Sequence, residues 1–440
     1  MKMNDMVIIS VDDHISEPPD MFDKHLSGAD LQSAPKLRTA PDGTNYWEYQ
    51  GMKMPSVGLN AVVGRPLEEY GMEPTSFEQL RKGVYNVHAR VDDMNVNGVA
   101  ASLNFGTAVG FDGGRFHRAP DKAASLIHLR AYNDWHIDEW CGAYPDRFIP
   151  CALLPTWDMK ATVEEIARIA KKGCTAVSIN ENPTAQGLPS IHNAYWEPMW
   201  RAIADHDITM CLHIGAGNPT PHASDETPIE AWITTMPMSS AVGAADWLHL
   251  SALQRYPHLR IALSECGLGW IPYFMERADF SHSRHKAWTN NGWGGMKPSD
   301  VFMKHFMVCF IDDAFGLKNL DSVNEDMVAY ECDYPHSDTL WPEVPEHLYR
   351  TLQHLTDVQI DKITHQNAAR FFRFDPFKGH TRKELTVGAL RAKAAENKVD
   401  TTPRSSGGVK PIADSEGKRR VTSGDLRRMF THHAQAGSGR

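Results

Sequence analysis

The chain predicts an α/β fold of the (β/α)8 TIM barrel kind, with a long insertion after the first strand and a C-terminal extension. Eight short apolar or β-branched runs recur along it, helical patterns separate most of them, and at least five of the runs end in imidazole or carboxylate side chains. Strands alternating with helices specify a parallel sheet, and eight such units specify a closed barrel. The runs fall at residues 7–11, 99–103, 148–154, 176–179, 208–214, 261–263, 306–311 and 327–330. Apolar spacings of three and four predict helices over 119–141, 162–172, 196–206, 241–255 and 271–280, and a closing helix over 355–372. Gly98, Gly173 and Pro257 punctuate the starts of the second, fourth and sixth strands. Between the first strand and Arg90 lies an insertion, about residues 23–90, rich in Pro, Gly and Met, with a hairpin expected over 46–55. On the catalytic side of a barrel such a loop forms a lid or wall over the pocket. The expected organisation is therefore a barrel over residues 1–378 and an extension over 379–440, where the chain turns polar through Gly407, Gly408 and Pro411.

The 440 residues carry 45 Lys and Arg against 55 Asp and Glu, a net charge of −10, with 42% hydrophobic and 23% charged residues. That balance excludes a disordered or collagen-like chain. No apolar run approaches the roughly 18 residues of a membrane helix, and the first ten residues lack a basic n-region, so a cytoplasmic protein with no membrane partner is expected. The seven cysteines, Cys141, Cys151, Cys174, Cys211, Cys266, Cys309 and Cys332, are scattered and form no Cys-x-x-Cys pair, which argues against both a disulfide framework and a zinc knuckle. Residues 380–440 hold 13 Lys and Arg against 6 Asp and Glu, a net of +7 that leaves −17 on the rest of the chain. A basic tail beside an acidic body docks on that body or on a neighbouring subunit. Nucleic acid is not an expected partner, since Phe430 is the tail's only aromatic. A homo-oligomer, dimer or larger, is expected.

Functional groups of such a barrel come from the carboxyl ends of its strands. The first strand ends in Asp12-Asp13-His14, and alternation points Asp12 and His14 the same way. The fourth ends in Asn180-Glu181-Asn182, the fifth in His213, the sixth in Glu265, and the eighth in Glu331-Cys332-Asp333-Tyr334-Pro335-His336. Mixed imidazole and carboxylate ligands at one mouth suit a borderline divalent ion such as Zn²⁺, Mn²⁺ or Fe²⁺. Taken singly, a histidine after a strand is ordinarily a satisfied side chain and a carboxylate there ordinarily caps a helix; their joint occurrence is what points to a metal. His282 and His285 read as loop residues on a solvated surface, and Tyr132, Trp135 and Trp140 as packing beneath the barrel wall. Gly215-Ala216-Gly217 lacks the third glycine of a dinucleotide fingerprint, so no nucleotide cofactor is expected. Cys211, Cys266 and Cys332 read as buried structural thiols.

Four segments, Ser10-Val11-Asp12-Asp13-His14-Ile15-Ser16-Glu17-Pro18, Cys211-Leu212-His213-Ile214-Gly215, Glu265-Cys266-Gly267-Leu268-Gly269-Trp270 and Cys332-Asp333-Tyr334-Pro335-His336-Ser337-Asp338, together resemble the amidohydrolase-related (amidohydrolase 2) branch of the amidohydrolase superfamily. The likeness runs from Val7 to about Phe374, in the expected order. It implies a metal-dependent (β/α)8 barrel, in a branch that holds both hydrolases and non-oxidative decarboxylases such as aminocarboxymuconate-semialdehyde decarboxylase. It further implies a metal pair at Asp12 and His14, a ligand at His213, and at Asp333 a ligand that also handles the proton of bound water. The sixth-strand position, a histidine in the decarboxylases and in binuclear hydrolases, is Glu265 here. That carboxylate is able to bind a second ion, with Glu181 as the bridge, so one or two ions per chain (Zn, Fe or Mn) are expected.

The expected activity is metal-dependent hydrolysis of an amide, ester or thioester bond in a small organic substrate. The ion would lower the pKa of a bound water and polarise the carbonyl, Asp333 would take the water's proton and deliver it to the leaving group, and His336 would orient Asp333 or stabilise the oxyanion. The alternative is a metal-dependent non-oxidative decarboxylase of an aromatic or unsaturated carboxylic acid. A third reading, a barrel without catalysis that serves as a scaffold, is opposed by the joint presence of Asp12, His14, His213 and Asp333.

Overall fold

The computed structural model describes residues 1–54, 56–410 and 419–435, the last six of these as backbone alone; Pro55, Pro411 and the Phe430 side chain lie outside the described set. Eight barrel strands form at the apolar runs: β1 (Ile8–Ile15), β2 (Val99–Gly106), β3 (Phe148–Ile149 and Cys151–Leu153), β4 (Ala176–Ser178), β5 (Thr209–His213), β6 (Arg260–Ser264), β7 (Phe306–Phe310) and β8 (Val328–Tyr330). All are parallel to their neighbours and lie in sequential order. The first piece of β3 pairs with β2 and the second with β4, and Pro150 between them has no N–H to give to a ladder. Closure comes just past β8, where Asp333 N donates to Asp12 O (2.9 Å) and His14 N to Tyr334 O (2.6 Å).

Alternation along the strands divides their side chains into an inner and an outer set. Ile9, Val11, Leu103, Phe105, Cys151, Ala176, Cys211, Ala262, Cys309 and Ala329 are buried together in one cluster, and small residues prevail because eight converging strands leave little room. Three cysteines thus fill the barrel, and all seven are buried and unpaired. Phe371 and Phe372 of the closing segment belong to the same cluster, and Phe371 O accepts from Thr209 Oγ1 at the start of β5, so they plug the amino-terminal end.

Around the barrel run α1 (Val87–Val96), α2 (Lys122–Asp134), α3 (Met159–Lys171), α4 (Glu197–Asp205), α5 (Ile229–Leu248), α6 (Ile271–Thr289), α7 (Pro298–His305), α8 (Val344–Leu352), α9 (Val387–Glu396) and α10 (Ser423–Gln435). Asn86, Asp121 and Asp158 cap the first three through their side chains, satisfying a free N–H in each first turn. Two helices depart from expectation. α5 begins at Ile229, ahead of residue 241; its early turns bury no apolar face, and buried positions start only at Ser239. α6 continues to Thr289, so His282 and His285 are helical and not in a loop; no breaker intervenes before Asn290, whose φ of 52° ends the helix.

The insertion holds a three-stranded antiparallel sheet, Lys36–Thr39, Asn45–Tyr49 and Met52–Met54, one strand more than the expected hairpin. Gln50 and Gly51, both at positive φ, form the tight turn. Buried Tyr49 joins this sheet to α2 by a 2.9 Å bond with His128 Nδ1. Farther on, Val63 N donates to Pro335 O (3.1 Å) and Asn60 Nδ2 to Ser337 Oγ (2.7 Å), so residues 56–65 stand as a wall against the β8 exit. The extension docks on its own body. α9 lies beneath the barrel, with Val387 N on Met6 O (2.8 Å); Arg404 N then reaches Gly64 O (2.9 Å), Val409 pairs with Glu73, and Ser423 N reaches Thr227 O (2.9 Å). Arg382 pairs with Asp361, His380 with Asp146 and Arg427 with Asp225, so basic tail meets acidic body as its charge predicts. Among the described residues no helix is long and apolar enough to cross a membrane.

Candidate metal site at the barrel mouth

Six side chains from four strand exits converge: Asp12 and His14 from β1, His213 from β5, Glu265 after β6, and Asp333 and His336 after β8. They form two overlapping groups, Asp12-His14-His213-Glu265 and His14-Glu265-Asp333-His336, each with one ligand atom per residue within 4.8 Å of the others. His14 Nε2 lies 3.2 Å from His213 Nε2, 3.3 Å from both Asp12 Oδ1 and Asp333 Oδ1, and 3.5 Å from Glu265 Oε1. His213 Nε2 lies 3.4 Å from Asp12 Oδ2 and 3.2 Å from Glu265 Oε1, and His336 Nδ1 is 2.7 Å from Asp333 Oδ1. Glu265 and Asp333 both sit at positive φ (53° and 51°), a conformation L-residues pay for; it is held by bonds from Glu265 N to Glu331 Oε2 (3.0 Å) and from Asp333 N to Asp12 O.

The donor set fits a divalent cation. Both carboxylate oxygens of fully buried Asp12 lack a hydrogen-bond partner, which is costly for an ionised group unless a cation meets it. His213 Nδ1 donates to Ile214 O (2.6 Å), which leaves the Nε2 lone pair aimed at the centre. The electrostatics show the same demand for positive charge. Burial opposes a charged imidazole, yet Asp12, Asp333 and Glu265 push His14 up to about 10, and Asp12 and Glu265 do the same to His213. Burial and then the Glu265 charge hold Asp333 well above the ordinary carboxylate range, while Glu265, despite its own burial, is held well below that range by His213 and His14.

Glu181 stands outside both groups. Its Oε1 accepts from Asn218 N (2.7 Å) and burial pushes it up to about 7, so the expected bridge between two ions has no geometry to rest on among the described residues. Other residues support the site without a sign in the sequence. Asp13 faces away from the cluster and accepts from Ser10 Oγ (2.9 Å). Fully buried Arg90 donates to Gly83 O (2.7 Å) and to His14 O, and lies 4.3 Å over the Tyr334 ring. Tyr334 in turn donates to Asp93 (2.6 Å), which Arg81 grips through two nitrogens at 2.8 and 2.6 Å, so this network ties the β1 and β8 exits together. Phe111 packs its ring against His213 and His14, with centroids 4.1 and 4.8 Å away. Its only signal is an aromatic residue set among glycines, Gly110-Phe111-Asp112-Gly113-Gly114, in the loop after β2.

A (β/α)8 barrel whose mouth carries a buried imidazole–carboxylate cluster of this kind defines the class: a metal-site barrel of the enzyme type. A family model described as Amidohydrolase matches residues 92–374, and the chain belongs to that family. Gamma-resorcylate decarboxylase of Rhizobium sp. (strain MTP-10005) is 25% identical over 282 residues, covering 58% of this chain and 79% of its own. An amidohydrolase of Mycobacterium avium subsp. paratuberculosis superposes with a TM-score of 0.62 at 17% identity, over 83% of this chain and 99% of that one. A 5-carboxyvanillate decarboxylase of Novosphingobium aromaticivorans, solved with manganese and 4-hydroxy-3-methoxy-5-nitrobenzoic acid, superposes with a TM-score of 0.58 at 17% identity, over 85% and 99%. These relatives correct the expectation of hydrolysis, because the curated proteins that match are decarboxylases. The expectation rests on Glu265 standing where the decarboxylases carry a histidine. In the structure Glu265 joins the same cluster as His14 and His213, so a carboxylate at that position does not set this site apart from theirs.

Proposed function

We propose that this chain is a metal-dependent non-oxidative decarboxylase of aromatic carboxylic acids. The proposal places one divalent ion, manganese, at Asp12, His14, His213, Glu265 and Asp333. The observation that carries it is the single cluster around an unpartnered, buried Asp12 carboxylate, on a chain whose curated relatives are decarboxylases. Carboxylates beside imidazoles suit manganese, which the related decarboxylase structure also holds. Residues 1–378 form the catalytic barrel in this reading, residues 23–90 its wall, and residues 379–440 a supporting extension.

A bound divalent ion supplies Lewis acidity to the oxygens of the substrate. The remaining work belongs to the chain. Asp333, at the cluster with His336 Nδ1 2.7 Å from its Oδ1, delivers a proton to the ring carbon that carries the carboxylate. The electron pair of the C–C bond returns to the ring, CO2 leaves, and Asp333 regains a proton from solvent. His336, 2.7 Å from Asp333 Oδ1, orients that carboxyl group.

The test is manganese-loaded protein incubated in D2O with 2,6-dihydroxybenzoate and 5-carboxyvanillate. CO2 release with one deuterium at the vacated ring carbon is expected. Turnover of amides or esters with ¹⁸O from water in the acid product, and no CO2 from either benzoate, overturns the reading. The reading includes a homo-oligomer, supported by Tyr273, Phe280 and Trp288, which stand exposed along α6, and checked by sedimentation velocity.

A further inference from the structure

The loop after β2 is built to hold one side chain still. Its start is gathered by the buried Glu17 carboxylate, which accepts from Thr107 N (3.3 Å), Ala108 N (2.7 Å) and Val109 N (3.4 Å). Its end is locked by Asp112, which accepts from Gly114 N (2.9 Å) through Oδ1 and from both Asn180 Nδ2 and Gln186 Nε2 (2.6 Å each) through Oδ2. Asn180 also donates to Ala216 O (2.7 Å), so the exits of β2, β4 and β5 are tied into one rim. Gly110 and Gly113 take positive φ values of 82° and 73°, which lets the loop turn sharply on either side of Phe111. Between these anchors the Phe111 ring leans on His213 and His14, tilted 41° and 53° to them, and part of it stays accessible. An apolar ring kept partly in water beside a charged cluster gains stabilisation when apolar surface covers it, with a further gain when that surface is a flat aromatic ring.

We propose that Phe111 is the stacking platform that selects planar aryl carboxylates over saturated ones of the same outline. The idea rests on the aromatic-acid reading above and goes further by assigning the ring recognition to one residue that is not a metal ligand. An arene stacked on this ring would turn its carboxylate toward the neighbouring cluster, and offset stacking rewards a planar substrate that a puckered ring cannot match.

The test compares benzoate with cyclohexanecarboxylate, by calorimetry on manganese-loaded protein, in wild type, Phe111→Ala and Phe111→Leu, with manganese content and thermal midpoint measured for each. Wild type is expected to favour benzoate. Phe111→Ala should lose affinity for both acids through lost apolar cover, and should also lose about 3- to 10-fold of the preference for benzoate, the size of one aromatic pair beyond buried area. Phe111→Leu keeps apolar packing on His213 without a flat face; it should hold its metal and midpoint and still lose the preference. Equal or undetectable binding of both acids by wild type, or an unchanged preference in the variants, overturns the proposal. Because binding is read without turnover, the two ideas fail separately: a Phe111-dependent preference with no CO2 release from hydroxybenzoates sinks only the decarboxylase reading, and CO2 release with a Phe111-independent preference sinks only this one.

Discussion

In the proposed reaction Asp333 is the proton donor, buried at the cluster with His336 Nδ1 2.7 Å from its Oδ1. Asp333→Asn keeps the shape but cannot give up a proton in this way. It should lower turnover by about 10² to 10⁴, the range for loss of a general acid, while Asp12, His14, His213 and Glu265 still retain metal. Single-turnover kinetics with parallel metal analysis check this, and near-normal turnover would move the proton donor elsewhere. The convergence of Asp12, His14, His213 and Asp333 was legible because a strand end is a local feature and the barrel brings the strand ends of one rim together. Arg90 and Phe111 were not legible, since their importance lies in partners distant in sequence: Arg90 is 76 residues from His14, whose carbonyl it holds.

Elements transmit order to this site through close packing. Gly106 ends β2, and a Cβ there would lie 2.2 Å from Tyr132 Oη and 2.6 Å from Glu17 Oε1. Gly106→Ala should therefore cost about 1–3 kcal/mol, as overpacking does, and loosen the loop that Glu17 anchors. A lowered thermal midpoint with faster amide exchange at residues 107–109 is the expected result. Behind β2, a π-helical run, Trp135–Cys141, carries buried His136, whose Nε2 donates to Asn104 O (3.2 Å). Burial holds His136 down to about 4, against 6.5 for a free imidazole. Between those values the unfolded chain binds a proton that the folded chain refuses. The stability due to this group is thus complete above pH 6.5 and falls as pH drops toward 4, by about 2 kcal/mol at pH 5. His136→Gln, which can still donate to Asn104 O, should show a smaller fall in midpoint between pH 7 and pH 5 than wild type.

At the scale of the whole molecule the extension works as a strap. Residues 400–410 fasten to residues 64–81 through Arg404, Gly407 and Val409, and Glu73, which pairs with Val409, also holds Asn60 N (2.7 Å) and Ser56 Oγ (2.7 Å). Leu59 and Asn60 both sit at positive φ, and Asn60 reaches Ser337 next to His336. The path from tail to site is therefore continuous. Truncation after Val399 should raise KM and open residues 56–81 to protease while metal content holds. An unchanged KM and digestion pattern would leave the strap without a functional role.

By itself the sequence determined the barrel, its eight strands, the strand ends at which the clustered imidazoles and carboxylates stand, and the attraction between basic tail and acidic body. Those features follow from local periodicity, strand polarity and summed charge, each readable along the chain. Tertiary structure decided the rest. It turned Glu181 onto Asn218, brought Glu265 at positive φ into one cluster with histidines from β1 and β5, and set the Phe111 ring over them. His14 and His213 lie 199 residues apart in sequence and 3.2 Å apart in space. Coordination and substrate shape depend on such distances, and spacing along a chain does not encode them. For the same reason residue types alone pointed to hydrolysis, which the decarboxylase relatives correct: both chemistries use carboxylates and imidazoles around an ion and differ in how a substrate lies against them.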